Sequence, residues 1–294
     1  MMQARWWKKS EEKNGDIISC NLCFRGCNIK QGCSGKCGVR FNENGTLISP
    51  CLGKFCACAI DPVEKKPLFH WNSGKFIYSL GSVGCTMDCP FCQNHSIAFP
   101  ARALYGETVG TSEFAIDELI SNVKGSGLNL VAFTYNEPTL QAEYICEVVP
   151  MLHEAGISVT LVTNGAMSHE AAKDLISCLD ENDAANIDIK AFNPETYKTL
   201  GGELDTVKKN IELFINAGIH VELTNLVVTG LNDNIEEFAF MVDWIASISD
   251  EIPLHITRYF PARNYNKPPT NIEFLYSLAS VAKAKLKHVH IGNV

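Results

Sequence analysis

From about residue 76 onward, short β-rich apolar runs alternate with stretches whose apolar positions recur at helical spacing, the pattern of βα units on a parallel sheet. The apolar runs predict strands near 76–83, 128–135, 157–163, 184–190, 219–228 and 253–258. Between them the helical spacing predicts helices over 112–124, 139–155, 168–179, 195–217, 233–248 and 271–286, and 288–291 adds a last short strand. Thr111 or Ser112, Ser168 and Asp233 stand where N-caps are wanted, and Gly156 and Gly218 follow helical runs. Six βα units are too few for a closed eight-stranded barrel. The expected fold is therefore α/β, an open, partial TIM-type (β/α)6 barrel over 76–294, with a doubly wound sheet as the alternative. Residues 1–75 lack the alternation and are expected to form a small cysteine-rich N-terminal metal-binding region.

Composition narrows the function classes. With 294 residues, 46% hydrophobic and 20% charged, the chain has the balance of a globular protein able to bury a full core. Its formal net charge of −8 disfavours sequence-independent binding to a phosphate backbone, so no nucleic-acid partner is expected. No apolar run approaches the length of a membrane span, and residues 1–13 are polar with no signal-peptide pattern. The expectation is a cytoplasmic protein. Thirteen cysteines, an odd number without a secretory segment, then read as reduced thiols, and most as metal ligands.

Their positions sharpen this. Eight fall between Cys20 and Cys58, three more at Cys85, Cys89 and Cys92, and only Cys146 and Cys178 lie beyond. Cys85, Cys89 and Cys92, spaced C-x3-C-x2-C in the loop after the first barrel strand, let one loop wrap a compact metal centre, and Phe91 supplies an apolar wall. Iron–sulfur clusters are normally held by four thiolates. With no fourth thiol alongside, one iron would stay open to a ligand that is not protein. A zinc site completed by His95 is the alternative. Cys20, Cys23, Cys27 and Cys37 form a second set, C-x2-C-x3-C-x9-C, whose ligand types suit an iron–sulfur cluster or zinc. Cys33 and the later cysteines are unassigned.

The Cys85/Cys89/Cys92 motif, with Phe91 and a preceding strand, resembles the radical S-adenosylmethionine superfamily. Segments 20–40, DPVEKKPLFH (61–70), GCTMDCPFCQN (84–94), FTYNEPT (133–139), NIDIKAF (186–192), GLNDN (230–234) and RYFPA (258–262) further resemble its pyruvate formate-lyase activating-enzyme-like branch. Within that branch the AmmeMemoRadiSam-system radical enzyme family is the most similar. The resemblance implies that the three cysteines bind a [4Fe-4S] cluster whose open iron chelates S-adenosylmethionine. One electron then splits the sulfonium to a 5′-deoxyadenosyl radical, which abstracts a hydrogen atom from substrate. It also implies an electron donor such as a flavodoxin or ferredoxin, and a glycyl-radical enzyme or another protein as a possible substrate. Modification of a small molecule or peptide is the alternative, and a non-catalytic iron–sulfur electron-transfer protein a distant one.

Strand ends supply the other candidates, because barrel enzymes place their sites at the C-terminal face. Tyr135, Asn136 and Glu137 end the second strand. The resemblance gives Glu137 the cofactor's amino group, while its neighbours could equally be a helix start. Thr163 and Asn164 end the third strand, with Asn164 toward ribose hydroxyls and Gly165 allowing close backbone approach. Asp188 and Lys190 share one face of the fourth strand, as a cofactor contact or as an ordinary ion pair. Lys190, His255 and Arg258 are the candidate catalytic residues, the last two at the end of the sixth strand and toward substrate. Asn232 and Asp233 are a loop and a helix cap, or a further contact.

Overall fold

The computed structural model describes residues 4–9, 17–99 and 112–294, so the Thr111 cap lies outside the described residues. The N-terminal region is built from short antiparallel pairs that carry its cysteines. Strands β1 (Trp7–Lys9), β2 (Ile17–Cys20) and β3 (Cys27–Lys30) form one small sheet, and β4 (Phe41–Glu43) pairs β5 (Thr46–Ile48). Arg40 fastens this region to the barrel. Its guanidinium, 1% exposed, donates to Glu143 Oε1 at 2.8 Å, and the same oxygen accepts the Arg5 backbone N–H. Such a buried pair holds only because hydrogen bonds accompany the charge.

Two strands of the region read as separate join the rest of the molecule. After β6 (Lys54–Phe55), β7 (Ala57–Pro62) lies antiparallel to β8 (Phe76–Gly81) at the edge of the main sheet. The segment between them tucks Val63, Leu68 and Trp71 under Ile77, Leu130, Ala132 and Ala184. The expected division at residue 75 therefore cuts through a packed unit.

The barrel continues through α1 (His95–Ala98), β9 (Ser112–Glu113), α2 (Ile116–Gly125), β10 (Leu130–Phe133), α3 (Ala142–Glu154), β11 (Ser158–Thr163), α4 (His169–Ile176) and β12 (Ala184–Asp188). It ends with α5 (Pro194–Thr199), α6 (Leu204–Asn216), β13 (His220–Val227), α7 (Ile235–Ile248), β14 (Leu254–Arg258), α8 (Ile272–Lys283) and β15 (Val289–Gly292). The main sheet runs β15-β14-β13-β12-β11-β10-β8-β7 and is parallel throughout except at β7. Strand β10 is a continuous apolar run buried at every position, whereas β12, β13 and β14 also bury polar groups, Asn186, Glu222, Asn225 and His255 among them. Helices turn their apolar stripe onto the sheet: α6 buries Leu204, Val207, Ile211 and Phe214 at helical spacing. The expected open, partial barrel is the fold, with β15 as a seventh parallel strand.

Three expected elements differ, each for a local reason. The helix over 195–217 is two helices, because Gly201 and Gly202 between them pack under the loop that carries Cys85, Cys89 and Cys92. A Cβ on Gly202 would stand 2.6 Å from Met87 Cε, and the Asp88 N–H donates to the Leu200 carbonyl at 2.9 Å. The helix expected from 112 begins at Ile116, since Ser112 and Glu113 pair with Phe55 and Lys54. Asn234, not Asp233, caps α7, its Oδ1 accepting from the Glu236 and Glu237 N–H groups. Ser168 caps α4 as read.

Candidate active site

The loop after β8 is wedged in place before its first cysteine. Gly84 sits at φ 92°, where side chains are strained, and a Cβ there would meet Leu140, Val39 and the Cys37 carbonyl at 2.9–3.0 Å. Asn136 clamps the same stretch, accepting the Ser82 N–H at 3.0 Å and donating to the Gly84 carbonyl at 2.8 Å. Asn164 reaches it from β11, its Nδ2 lying 3.6 Å from Cys85 Sγ and 3.0 Å from Thr86 Oγ1. Arg263 Nη1 holds the far side through the Cys89 carbonyl at 2.9 Å.

Cys85, Cys89 and Cys92 line one cavity of about 230 Å³ together with Tyr135, Asn136, Asn164, Asp188 and Lys190. The residues come from the C-terminal ends of β8, β10, β11 and β12, which is why positions far apart in sequence meet. Burial pushes all three thiols up, Cys89 to about 11, while Lys190 pulls Cys89 and Cys92 the other way. Lys190 offsets that burial only in part, and a bound metal would supply the further positive charge that thiolates need. Among the described residues, three thiols of one loop line the cavity and no fourth cysteine does, which is the donor set of an iron–sulfur cluster with one iron left open. The donor set fits a cluster of several irons. His95 begins α1 at the surface and does not line the cavity.

Lys190 and Asp188 pair at 2.8 Å inside the cavity wall. Burial alone would lower the ammonium, but Asp188 and Cys89 outweigh it and hold Lys190 above its usual range. Tyr135 has φ 71° and aims its hydroxyl at Asp61 Oδ2, 2.6 Å away. The same oxygen accepts from the buried Lys66 ammonium at 2.7 Å, which also stands 4.5 Å from the Tyr135 ring centre. Burial opposes charge on Asp61, yet these two donors hold its carboxyl well below the usual carboxylate range. Asp61 and Lys66 lie in DPVEKKPLFH, a segment whose partner, Tyr135, sequence reasoning had no means to find.

Glu137 is placed differently from the expectation. Its fully buried carboxylate accepts from Thr139 N–H and Oγ1, from Thr163 Oγ1 at 2.7 Å and from the Asn164 N–H at 2.9 Å. It does not line the cavity. Thr163 likewise spends its hydroxyl on Glu137. Gly165 brings its backbone against Ile187 and Val207 rather than against a ligand space. Asn232 ties the loop after β13 to the Lys190 carbonyl at 2.6 Å.

His255 and Arg258 are not brought to the cysteines. Arg258 Nε donates to the Thr270 carbonyl at 2.9 Å and lines a separate cavity with Asp233. His255 points inward on β14, but Thr257, two residues further along, is the one that lines the site. His255 Nε2 sits 2.6 Å from Glu222 Oε2 instead. Thr224, Leu226 and Thr257 are cavity residues that sequence reasoning missed. Period-two spacing from His255 along β14 was the available signal.

Around Glu222 stand His70, His220, His255 and His290. His290 is held down to about 4, by burial first and then by His255 and His70. A histidine lowered from 6.5 in the fold stabilises it above about 6.5, and that contribution is lost as pH falls toward about 4. The unfolding temperature is expected to drop across this window, and less steeply in His290→Asn. An equally steep drop in the variant would remove His290 as a cause.

The second cysteine set also converges. Cys20 and Cys27 are cross-strand partners on β2 and β3, and Cys23 between them bridges to Met167 of the barrel. Cys23, pushed up to about 12 by burial, feels Cys37, Cys20 and Cys27 as neighbouring charges. Cys33 is exposed, and Cys56 Sγ donates to the Ser82 carbonyl at 3.0 Å. Cys27 and Cys37 of this set and Cys85 of the other line a shared cavity of about 670 Å³. Among the described residues, no helix is long and apolar enough to cross a membrane.

Known proteins share both sequence and fold with this chain. The Radical SAM superfamily model matches residues 80–245. The protein MJ0808 of Methanocaldococcus jannaschii is 35% identical, covering 100% of this chain and 86% of its own length. The 4-hydroxyphenylacetate decarboxylase activating enzyme of Clostridioides difficile is 26% identical over 69% of this chain, which spans 60% of that protein. The crystal structure of a radical SAM methyltransferase from Sphaerobacter thermophilus shares the fold, with a TM-score of 0.52 at 13% identity over 98% of this chain and 76% of that one. With a family match over more than half of its length, and three cysteines in the loop at the mouth of a partial barrel, the chain belongs to the radical SAM superfamily, whose enzymes use a [4Fe-4S] cluster and S-adenosylmethionine.

Proposed function

We propose that the chain is a hydrogen-abstracting radical enzyme whose cluster is held by Cys85, Cys89 and Cys92, with S-adenosylmethionine in the cavity they line. The observation that carries this reading is the sharing of one cavity by the three thiols, Asn136, Asn164 and the Asp188–Lys190 pair. When bound, the cluster supplies the electron that splits the cofactor's sulfonium and frees a 5′-deoxyadenosyl radical. The chain's own residues do the rest. Asn136 and Asn164 hold the loop so that the thiols face inward. Lys190, kept charged by Asp188, offers an ammonium to a carboxylate, a charge-assisted contact. Tyr135, locked by Asp61 and Lys66, closes one wall, and Phe91 with Leu226 keeps water from a reactive carbon.

The substrate we infer is a glycine residue of a partner enzyme, with reduction by a flavodoxin or ferredoxin. The activating enzyme among the relatives supports this, although others are GTP 3′,8-cyclases. The Cys20, Cys23, Cys27 and Cys37 set is proposed as a second metal centre. The experiment is anaerobic reconstitution, reduction, and measurement of 5′-deoxyadenosine with S-adenosylmethionine alone and with glycyl-radical enzymes. Formation of 5′-deoxyadenosine together with a glycine-centred radical signal in the partner is the expected result. Formation without that signal transfers the substrate to a small molecule or peptide. No 5′-deoxyadenosine from a cluster-loaded, reduced protein would overturn the radical reading itself.

A further inference from the structure

The opposite end of the barrel carries a group of imidazoles that the radical chemistry leaves unused. His70, in the segment before β8, and His290, on the edge strand β15, present their Nε2 atoms to each other at 2.8 Å, both accessible to solvent. Only one of the two nitrogens can hold the shared proton, so the contact pairs a donor with a lone pair, or two lone pairs with something between them. A third imidazole, His288, has its ring centre 4.4 Å from that of His70. Behind them the rings are fixed. His290 stacks on His255 at 5.1 Å between centres, and Glu222 holds His255 at 2.6 Å while accepting the His70 backbone N–H at 2.7 Å.

We propose that His70 and His290 form a divalent transition-metal site, with zinc as the representative ion, which clasps β15 to the segment ahead of β8. Neutral imidazole is the commonest protein ligand for such ions, and zinc, copper and nickel all suit it. Two nitrogens at about 2.0–2.1 Å from a tetrahedral ion stand about 3.3 Å apart. The pair needs to open by only about half an ångström, and solvent completes the coordination. Glu222 fixes the His70 backbone, and stacking on His255 sets the plane of the His290 ring. The clasp joins residues 220 positions apart across the open side of the barrel, so occupancy stabilises the closed arrangement by linkage. The site is remote from Cys85, Cys89 and Cys92, and its success or failure is independent of the reading above.

The test uses cluster-reconstituted protein, exposed anaerobically to a small excess of zinc chloride and then desalted. Wild type is expected to retain one more zinc than His70→Ala, His290→Ala and the shape-keeping His290→Gln, with iron content unchanged in all four as the check on folding. Diffraction at the zinc edge is expected to place an anomalous peak between the two Nε2 atoms. Zinc should raise the unfolding temperature of wild type and of none of the variants. Equal zinc content in wild type and variants, or zinc peaks confined to the cysteines, overturns the proposal.

Discussion

Replacing Cys85, Cys89 and Cys92 together by alanine is expected to remove about four irons per chain, the content of one [4Fe-4S] cluster, and with them all 5′-deoxyadenosine formation. The three thiols line a common cavity. His95 lies at the surface, and Cys20, Cys23, Cys27 and Cys37 do not line the cavity of the three thiols. That separation adds a second expectation: the triple variant keeps the metal of Cys20, Cys23, Cys27 and Cys37, and elemental and sulfide analysis then reads its identity. Unchanged iron in the variant would sink the assignment of the loop. Loss of all metal would show that the second set is not an independent centre.

Glu137→Gln is expected to lower folding stability by roughly 2–4 kcal/mol, from hydrogen bonds to a buried charge and a donor left unsatisfied. Oε1 accepts three donors and Oε2 accepts the Asn164 N–H. A glutamine that keeps its oxygen toward the threonines turns an NH₂ group against the Asn164 N–H, donor against donor. Since Asn164 holds Cys85 and Thr86, any loss of cofactor affinity should follow from this displacement. Chemical denaturation separates the possibilities. Unchanged stability beside weakened S-adenosylmethionine binding would return Glu137 to the role of a cofactor ligand.

How far the sequence could be read depended on the range of the interactions involved. Strand β10 was legible because both its faces are buried, which writes an apolar pattern into consecutive residues. The cysteine loop was legible because C-x3-C-x2-C places all three ligands within one turn of chain. The break at Gly201 and Gly202 was not, because it answers Met87 and Asp88 from another element. Strand β7 was missed because its partner pairing, not its own composition, makes it part of the sheet.

The site residues divide in the same way. By itself, the sequence determined the alternation of strands and helices, the two cysteine sets, and the strand ends where Tyr135, Asn136, Asn164, Asp188 and Lys190 stand. These follow from local periodicity and spacing. Only the tertiary structure decided which groups those residues face. Glu137 is enclosed by Thr139, Thr163 and Asn164, Tyr135 is held by Asp61, and His255 is drawn to Glu222 at the far end of the barrel. A side chain's partners come from neighbouring strands whose register is set by packing across the whole sheet, and nothing in its own segment encodes that register.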